Sequence, residues 1–179
     1  MQVMSHPTNT AVRTSQLAIL FGHPEHLGHI KRQIEDAVTT TSMKQKISFI
    51  EDNCLDVLSH LATENFKEGF EIVFCLGFPP DTKTVEHVFE LFERVIVFSV
   101  ETDPEAYGRQ LGLSSHDRKH LKEALAAREM QMSGLLEYVA RKHRHRFDVV
   151  HHKRSIKVQA VHIVNKVFGK MGQKLIPSS

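Results

Sequence analysis

Two hydrophobic rhythms alternate along the chain. Mostly apolar runs, Leu17-Ala18-Ile19-Leu20-Phe21, Glu71-Ile72-Val73-Phe74-Cys75-Leu76 and Arg94-Val95-Ile96-Val97-Phe98-Ser99-Val100, predict strands buried on both faces of a parallel sheet. Ile47-Ser48-Phe49-Ile50 and Phe147-Asp148-Val149-Val150 are shorter candidates of the same kind. Between them, apolar residues recur at helical spacing. Ile30, Ile34 and Val38 predict a helix starting near His29; Leu55, Leu58 and Leu61 follow the acidic start Glu51-Asp52. Val85, Val88, Phe89 and Phe92 define a helix entered at Asp81 or Thr82. A long helical stretch from Ser115 to His143 precedes the last strand, and Val158, Val161, Ile163, Val164 and Val167 mark a final helix from Ile156 to Met171. Strands alternating with helices imply β-α-β units and a three-layer α/β fold with a central parallel sheet. No repeat or linker interrupts the pattern, so one domain is expected over 17–172, between tails at 1–16 and 173–179.

Composition is that of an ordinary soluble domain: 179 residues, 41% hydrophobic and 25% charged, enough to bury one core. The formal net charge is only +2, yet Arg141, Lys142, Arg144, Arg146, Lys153 and Arg154 crowd the C-terminal third, and clustered cations are a polyanion contact or a solvated face. RNA phosphates or an acidic protein surface are the polyanions this segment would take, with RNA the secondary reading because aromatic stacking residues are nearly absent from it. Cys54 and Cys75 lie in apolar surroundings and are expected to be buried, reduced thiols of an intracellular protein. No apolar run approaches the roughly 20 residues of a membrane span. The first 16 residues carry Arg13 and no acid, a weak likeness to a mitochondrial transit segment.

The candidate chemistry sits after the first strand, in Gly22-His23-Pro24-Glu25-His26-Leu27-Gly28-His29-Ile30, and after the third, in Gly77-Phe78-Pro79-Pro80. With Gly69-Phe70 leading into the third strand, Ile50 to Leu58 before it, Glu93 to Val100 after it and Leu135-Leu136-Glu137-Tyr138 in the late helix, this order resembles the adenylate kinase, or nucleoside monophosphate kinase, family from about residue 16 to 170. The Gly-Phe-Pro turn is the most specific local likeness. The resemblance implies a P-loop-kinase-like fold, and it also shows what is missing. A phosphate loop needs glycines that turn N–H groups toward phosphates, a Lys for the transferred group and a Ser or Thr for magnesium. Here Gly28 stands where the family has Lys and Ile30 where it has the hydroxyl. Glu25 puts a carboxylate where a phosphate would be. Leu76 replaces the family's acid before Gly-Phe-Pro, and Pro80 the arginine after it. Arg109 matches one phosphate-contacting arginine, and Ala124 replaces another. The helices that bind the monophosphate and the lid have no room in the sequence.

The expectation is therefore a catalytically inactive kinase-like subunit, without cofactor or metal, held by protein partners in a large complex. An axonemal (cilium or flagellum) or mitochondrial ribosomal assembly suits such a subunit, the cytoskeletal setting slightly ahead. Two other readings compete. His26-Leu27-Gly28-His29 matches the H-x-G-H signature of nucleotidyltransferases, in which histidines at a helix N-terminus stabilise phosphate charge; the preceding stretch is shorter than that family's loop, and Lys153-Arg154-Ser155-Ile156 is a poor second signature. His143, His145, His151 and His152 are close in sequence, but without a carboxylate-backed geometry a solvated basic loop is preferred to a zinc site. Phe89, Phe92, Met130 and Met132 are expected in the core.

Overall fold

The computed structural model describes residues 16–39, 46–51, 55–76, 81–151 and 154–169. In chain order they form β1 (Gln16–Phe21), α1 (Pro24–Val38), β2 (Ile47–Ile50), α2 (Leu55–Lys67), β3 (Ile72–Leu76), α3 (Thr82–Leu91), β4 (Val95–Val100), α4 (Pro104–Gln110), α5 (Ser115–Lys142), one 3-10 turn (Arg144–Arg146), β5 (Phe147–Val150) and α6 (Ile156–Gly169). The strands make one sheet in the order β2-β3-β1-β4-β5, every pairing parallel. This is the three-layer α/β fold expected, of the P-loop-kinase-like kind. Its strand order differs from the flavodoxin and dinucleotide-binding arrangements, in which β1 is bordered by β2.

The apolar runs become central strands because both faces of the sheet are covered. Ala18, Leu20, Phe74, Ile96 and Phe98 face one layer, where Ile30, Ile34 and Val38 of α1 meet Ile163, Val164 and Val167 of α6. Leu17, Ile19, Val73, Cys75 and Val97 face the other, against Ala62 and Phe66 of α2, Val85, Val88 and Phe89 of α3, and Leu135 and Val139 of α5. Successive strand residues point to opposite faces, so each run supplies both cores at once. Gly69 ends α2 in the left-handed region (φ 103°), where a side chain would be strained, and Phe70 N–H then bonds the Asn65 carbonyl at 3.2 Å.

Three expectations are corrected. Helix α1 starts at Pro24, well before His29, because Pro24 occupies its first turn with φ already set for a helix and Leu27 extends the buried face. Helix α4 was not foreseen; Asp103 caps it, and only Tyr107 and Gly108 are buried. Met130 is 82% exposed, since α5 is a 28-residue helix whose only buried residues are Leu135 and Val139. None of residues 115–130 is fully buried. Met132, by contrast, packs against the core, and Phe89 and Phe92 are buried. Among the described residues no helix is long and apolar enough to cross a membrane.

Candidate functional site

The sheet topology selects one place for a site. From β1 the chain leaves toward β2, on the β3 side; from β4 it leaves toward β5, on the opposite side. Connections that diverge from adjacent parallel strands open a crevice at their carboxyl ends. Here β1 ends in Phe21-Gly22-His23 and β4 in Val100-Glu101-Thr102-Asp103. A cavity of about 420 Å³ lies between these ends, roofed by Leu125, Arg128 and Leu136 of α5. Gly22 sets the spacing: a Cβ there would stand 2.7 Å from the Val100 carbonyl oxygen, so only glycine lets the two strand ends lie this close.

The stretch expected to be a phosphate loop is not a loop. Gly22 and His23 alone separate β1 from α1, and Glu25, His26, Leu27, Gly28, His29 and Ile30 lie within the helix. His23 is the extended N-cap and makes no side-chain cap. Glu25, in the positive first turn, accepts a hydrogen bond from Tyr107 Oη at 3.3 Å. Tyr107 is buried under α1, its ring edge-on to His23, His26 and His29 at 5.7, 5.6 and 6.0 Å between centroids. Burial, helped by the Glu25 carboxylate, pushes its hydroxyl up to about 12.

The two histidines of H-x-G-H have different surroundings. His29 is partly exposed. His26 is 4% exposed, and its Nε2 lies 2.8 Å from Gln159 Oε1. Gln159 Nε2 donates to the carbonyls of Glu101 and His151, both at 3.0 Å. That orients the amide so that Oε1 faces the imidazole, and His26 Nε2–H is therefore the donor. Burial lowers the His26 pKa below the usual histidine range, and the nearby His29 and His23 act in the same direction against the Gln159 bond. His23 is lowered as well, by burial first and by Arg128, with Glu25 opposing.

At the crevice, polar demand exceeds polar supply. His23 Nδ1, Thr102 Oγ1 and Arg128 Nε are buried without a hydrogen-bond partner, and all three residues line the cavity. The Arg128 guanidinium lies over the Phe21 ring, 5.9 Å from its centroid. The neighbouring acids are committed: Glu101 pairs with His151 at 3.6 Å, and Asp103 accepts the N–H groups of Glu105 and Ala106 at 3.0 and 3.4 Å.

The other sequence candidates are dispersed. Gly77, Phe78, Pro79 and Pro80 lie outside the described residues, as do Lys153, Cys54 and His152. Cys75 is buried. Arg109 is exposed in the last turn of α4 and does not line the cavity. The basic segment is divided by β5, which sets Arg141, Lys142, Arg144 and Arg146 at one end and Arg154 at the other. Arg141 pairs with Glu137 at 2.6 Å, Lys142 with Glu86 at 3.2 Å, and Arg146 sits over Phe89. Among the described residues no group of histidine, cysteine and carboxylate side chains could hold a metal ion. Sequence reasoning does not find Thr102 or Arg128; the Thr102-Asp103-Pro104 that follows β4 and opens α4 is the available sign for the first, and nothing local marks the second.

The chain matches no protein-family model, and no curated protein matches it.

Proposed function

We propose that this chain is a kinase-like α/β protein, akin to the nucleoside monophosphate kinases, that transfers no phosphoryl group and serves as a binding and interaction subunit of a larger assembly. The two-residue connection between β1 and α1 carries this reading. A phosphate loop works by wrapping consecutive backbone N–H groups around the anion and delivering a lysine from its far end. Gly22-His23 is too short to wrap, Pro24 contributes no N–H, and the position expected for lysine is Gly28, already inside α1. Glu25 supplies negative charge at the helix end a phosphate would use, and Tyr107 holds it there.

The interaction role is supported by α5. This helix is about 42 Å long, and none of residues 115–130 is buried. Apart from the half-buried stripe Arg118, Leu121, Leu125 and Arg128, residues 115–130 are exposed; a helix held on so narrow a stripe gains little stability from the body of the protein, and bridging to another body is a common use of one. The buried His26, held by Gln159, favours a structural use of the H-x-G-H residues over nucleotidyl transfer. The division and pairing of the basic residues weigh against one RNA-binding patch.

Phosphotransfer from Mg-ATP to AMP, CMP, UMP and GMP, assayed with calorimetric titration of the same nucleotides, tests the reading. No turnover and no heat are expected, both for the parent and for Gly28→Lys. That substitution is sterically open, because a Cβ on Gly28 meets nothing within 4 Å. Turnover of any pair defeats the proposal. Fractionation of native extract should find the chain in a particle far larger than a monomer, and its co-sedimentation with axonemes or mitochondrial ribosomes separates the two settings.

A further inference from the structure

The crevice between β1 and β4 has the features of a ligand site that does not depend on the assembly role. Native proteins pair nearly all buried polar groups, and each exception calls for an explanation. Three exceptions around one cavity, on β1's end, on β4's end and on α5, share one explanation: a molecule between them that completes their hydrogen bonds. We propose that this cavity binds a small monocarboxylate with an apolar body, its carboxylate held by Arg128 and Thr102.

The chemistry of the three groups sets the class. Arginine only donates, whereas a hydroxyl and a neutral imidazole adapt to either role. The ligand must therefore bring an acceptor to Arg128, and a carboxylate gives the charge-assisted form of that bond. Burial keeps His23 below the usual histidine range, so Arg128 is the fixed cation of the cavity. Glu101, Asp103 and Glu129 also line it; these acids repel the several charges of a polyphosphate far more than the single charge of a monocarboxylate, which can sit directly against the guanidinium. Phe21, Val100, Leu125 and Leu136 supply apolar wall, and about 420 Å³ is within the size range of small-molecule sites.

The test is an NMR titration of the full chain with sodium phenylacetate, benzoate and hexanoate, with phenylacetamide and ATP as controls. At least one carboxylate should give saturable shifts at Phe21, Gly22 and Thr102, with phenylacetamide about tenfold weaker or worse. Arg128→Gln should weaken the best ligand by about tenfold, and Thr102→Val by a smaller factor, with melting temperatures showing that both variants are folded. Arg128→Lys keeps the charge without the planar fork; it should bind weakly and serves if Arg128→Gln does not fold. The proposal is overturned if none of the three carboxylates saturates, if the amide binds as well as the acid, if ATP binds more tightly than any of them, or if the variants bind unchanged. A crystal grown with the best carboxylate that shows only water on Arg128 and Thr102 overturns it too.

Discussion

Helix α5 contributes to two polar clusters that differ in one respect. At its C-terminal end, Glu86 of α3 gathers Tyr138 Oη at 2.6 Å, His143 Nε2 at 2.7 Å and Lys142 Nζ at 3.2 Å. His143 also stacks on Phe89, with centroids 4.2 Å apart. Every group in this cluster has a partner inside the protein. Further back along the same helix, Arg128 Nε has none, and neither do the His23 and Thr102 atoms across the cavity from it. A satisfied network is complete in itself and joins α5 to α3. An unsatisfied one is costly to maintain in a stable fold, so it is retained where something outside the chain completes it. By this criterion the Glu86 cluster is structural and the β1–β4 crevice is the site.

The sharpest way to separate the two is at Gly22. The Cβ of Gly22→Ala would meet the Val100 carbonyl oxygen at 2.7 Å, and backbone cannot swing aside as a side chain does. A loss of about 3 kcal/mol, the upper part of the usual range for overpacking, is expected in urea unfolding. The shifts should centre on the ends of β1 and β4 in amide spectra and spare Tyr138 and His143. A variant as stable as the parent would show that the strand ends have room to part.

Glu86→Ala attacks the opposite cluster and should cost about 2 kcal/mol, because three donors lose one acceptor. It should leave carboxylate binding at the crevice unchanged. The pH dependence gives a second reading of the same cluster. The Tyr138 hydrogen bond first, and then that from His143, draws the Glu86 carboxyl down from 4.5 to about 2. A lowered carboxyl pKa stabilises the folded state fully above the unfolded value and loses that contribution as pH falls through the folded one. Stability should therefore decline between about pH 4.5 and about pH 2 in the parent, and less steeply in Glu86→Ala. Identical acid profiles would remove Glu86 from the account.

The contrast also explains what could be read from the sequence. The central strands were legible because burial on both faces leaves an uninterrupted apolar run, as in Val95–Val100. The helices were legible wherever one stripe meets the sheet, as with Ile30, Ile34 and Val38. The start of α1 was misplaced because Gly22, His23 and Pro24 also have the character of loop residues; Pro24 followed by Glu25 in a first turn was the overlooked sign. Helix α4 was hidden because seven residues with one buried tyrosine carry no period. The site itself depends on pairs far apart in sequence. His26 and Gln159 are separated by 133 positions, and the Arg128–Phe21 contact joins a surface helix to a central strand. No local pattern encodes such meetings; only the strand order brings them about.

The smallest expected effect gives the closest test of the contrast, because two conservative substitutions should differ in cost. Tyr138→Phe removes one hydroxyl from a network in which it donates to Glu86 at 2.6 Å, and should cost about 1 kcal/mol. Thr102→Val removes one hydroxyl that is buried without a partner, at nearly constant volume. The folded state then sheds an unsatisfied group and gives up no internal hydrogen bond, so stability should stay within about 0.5 kcal/mol of the parent or rise. Denaturant midpoints of the two variants, measured without ligand, decide the matter. A stable Thr102→Val that binds carboxylates more weakly than the parent would show a hydroxyl kept for binding at the expense of stability, as functional groups commonly are. A Thr102→Val as damaged as Tyr138→Phe would mean that its hydroxyl already has a partner in the folded chain, and the crevice would then belong with the Glu86 cluster as structure.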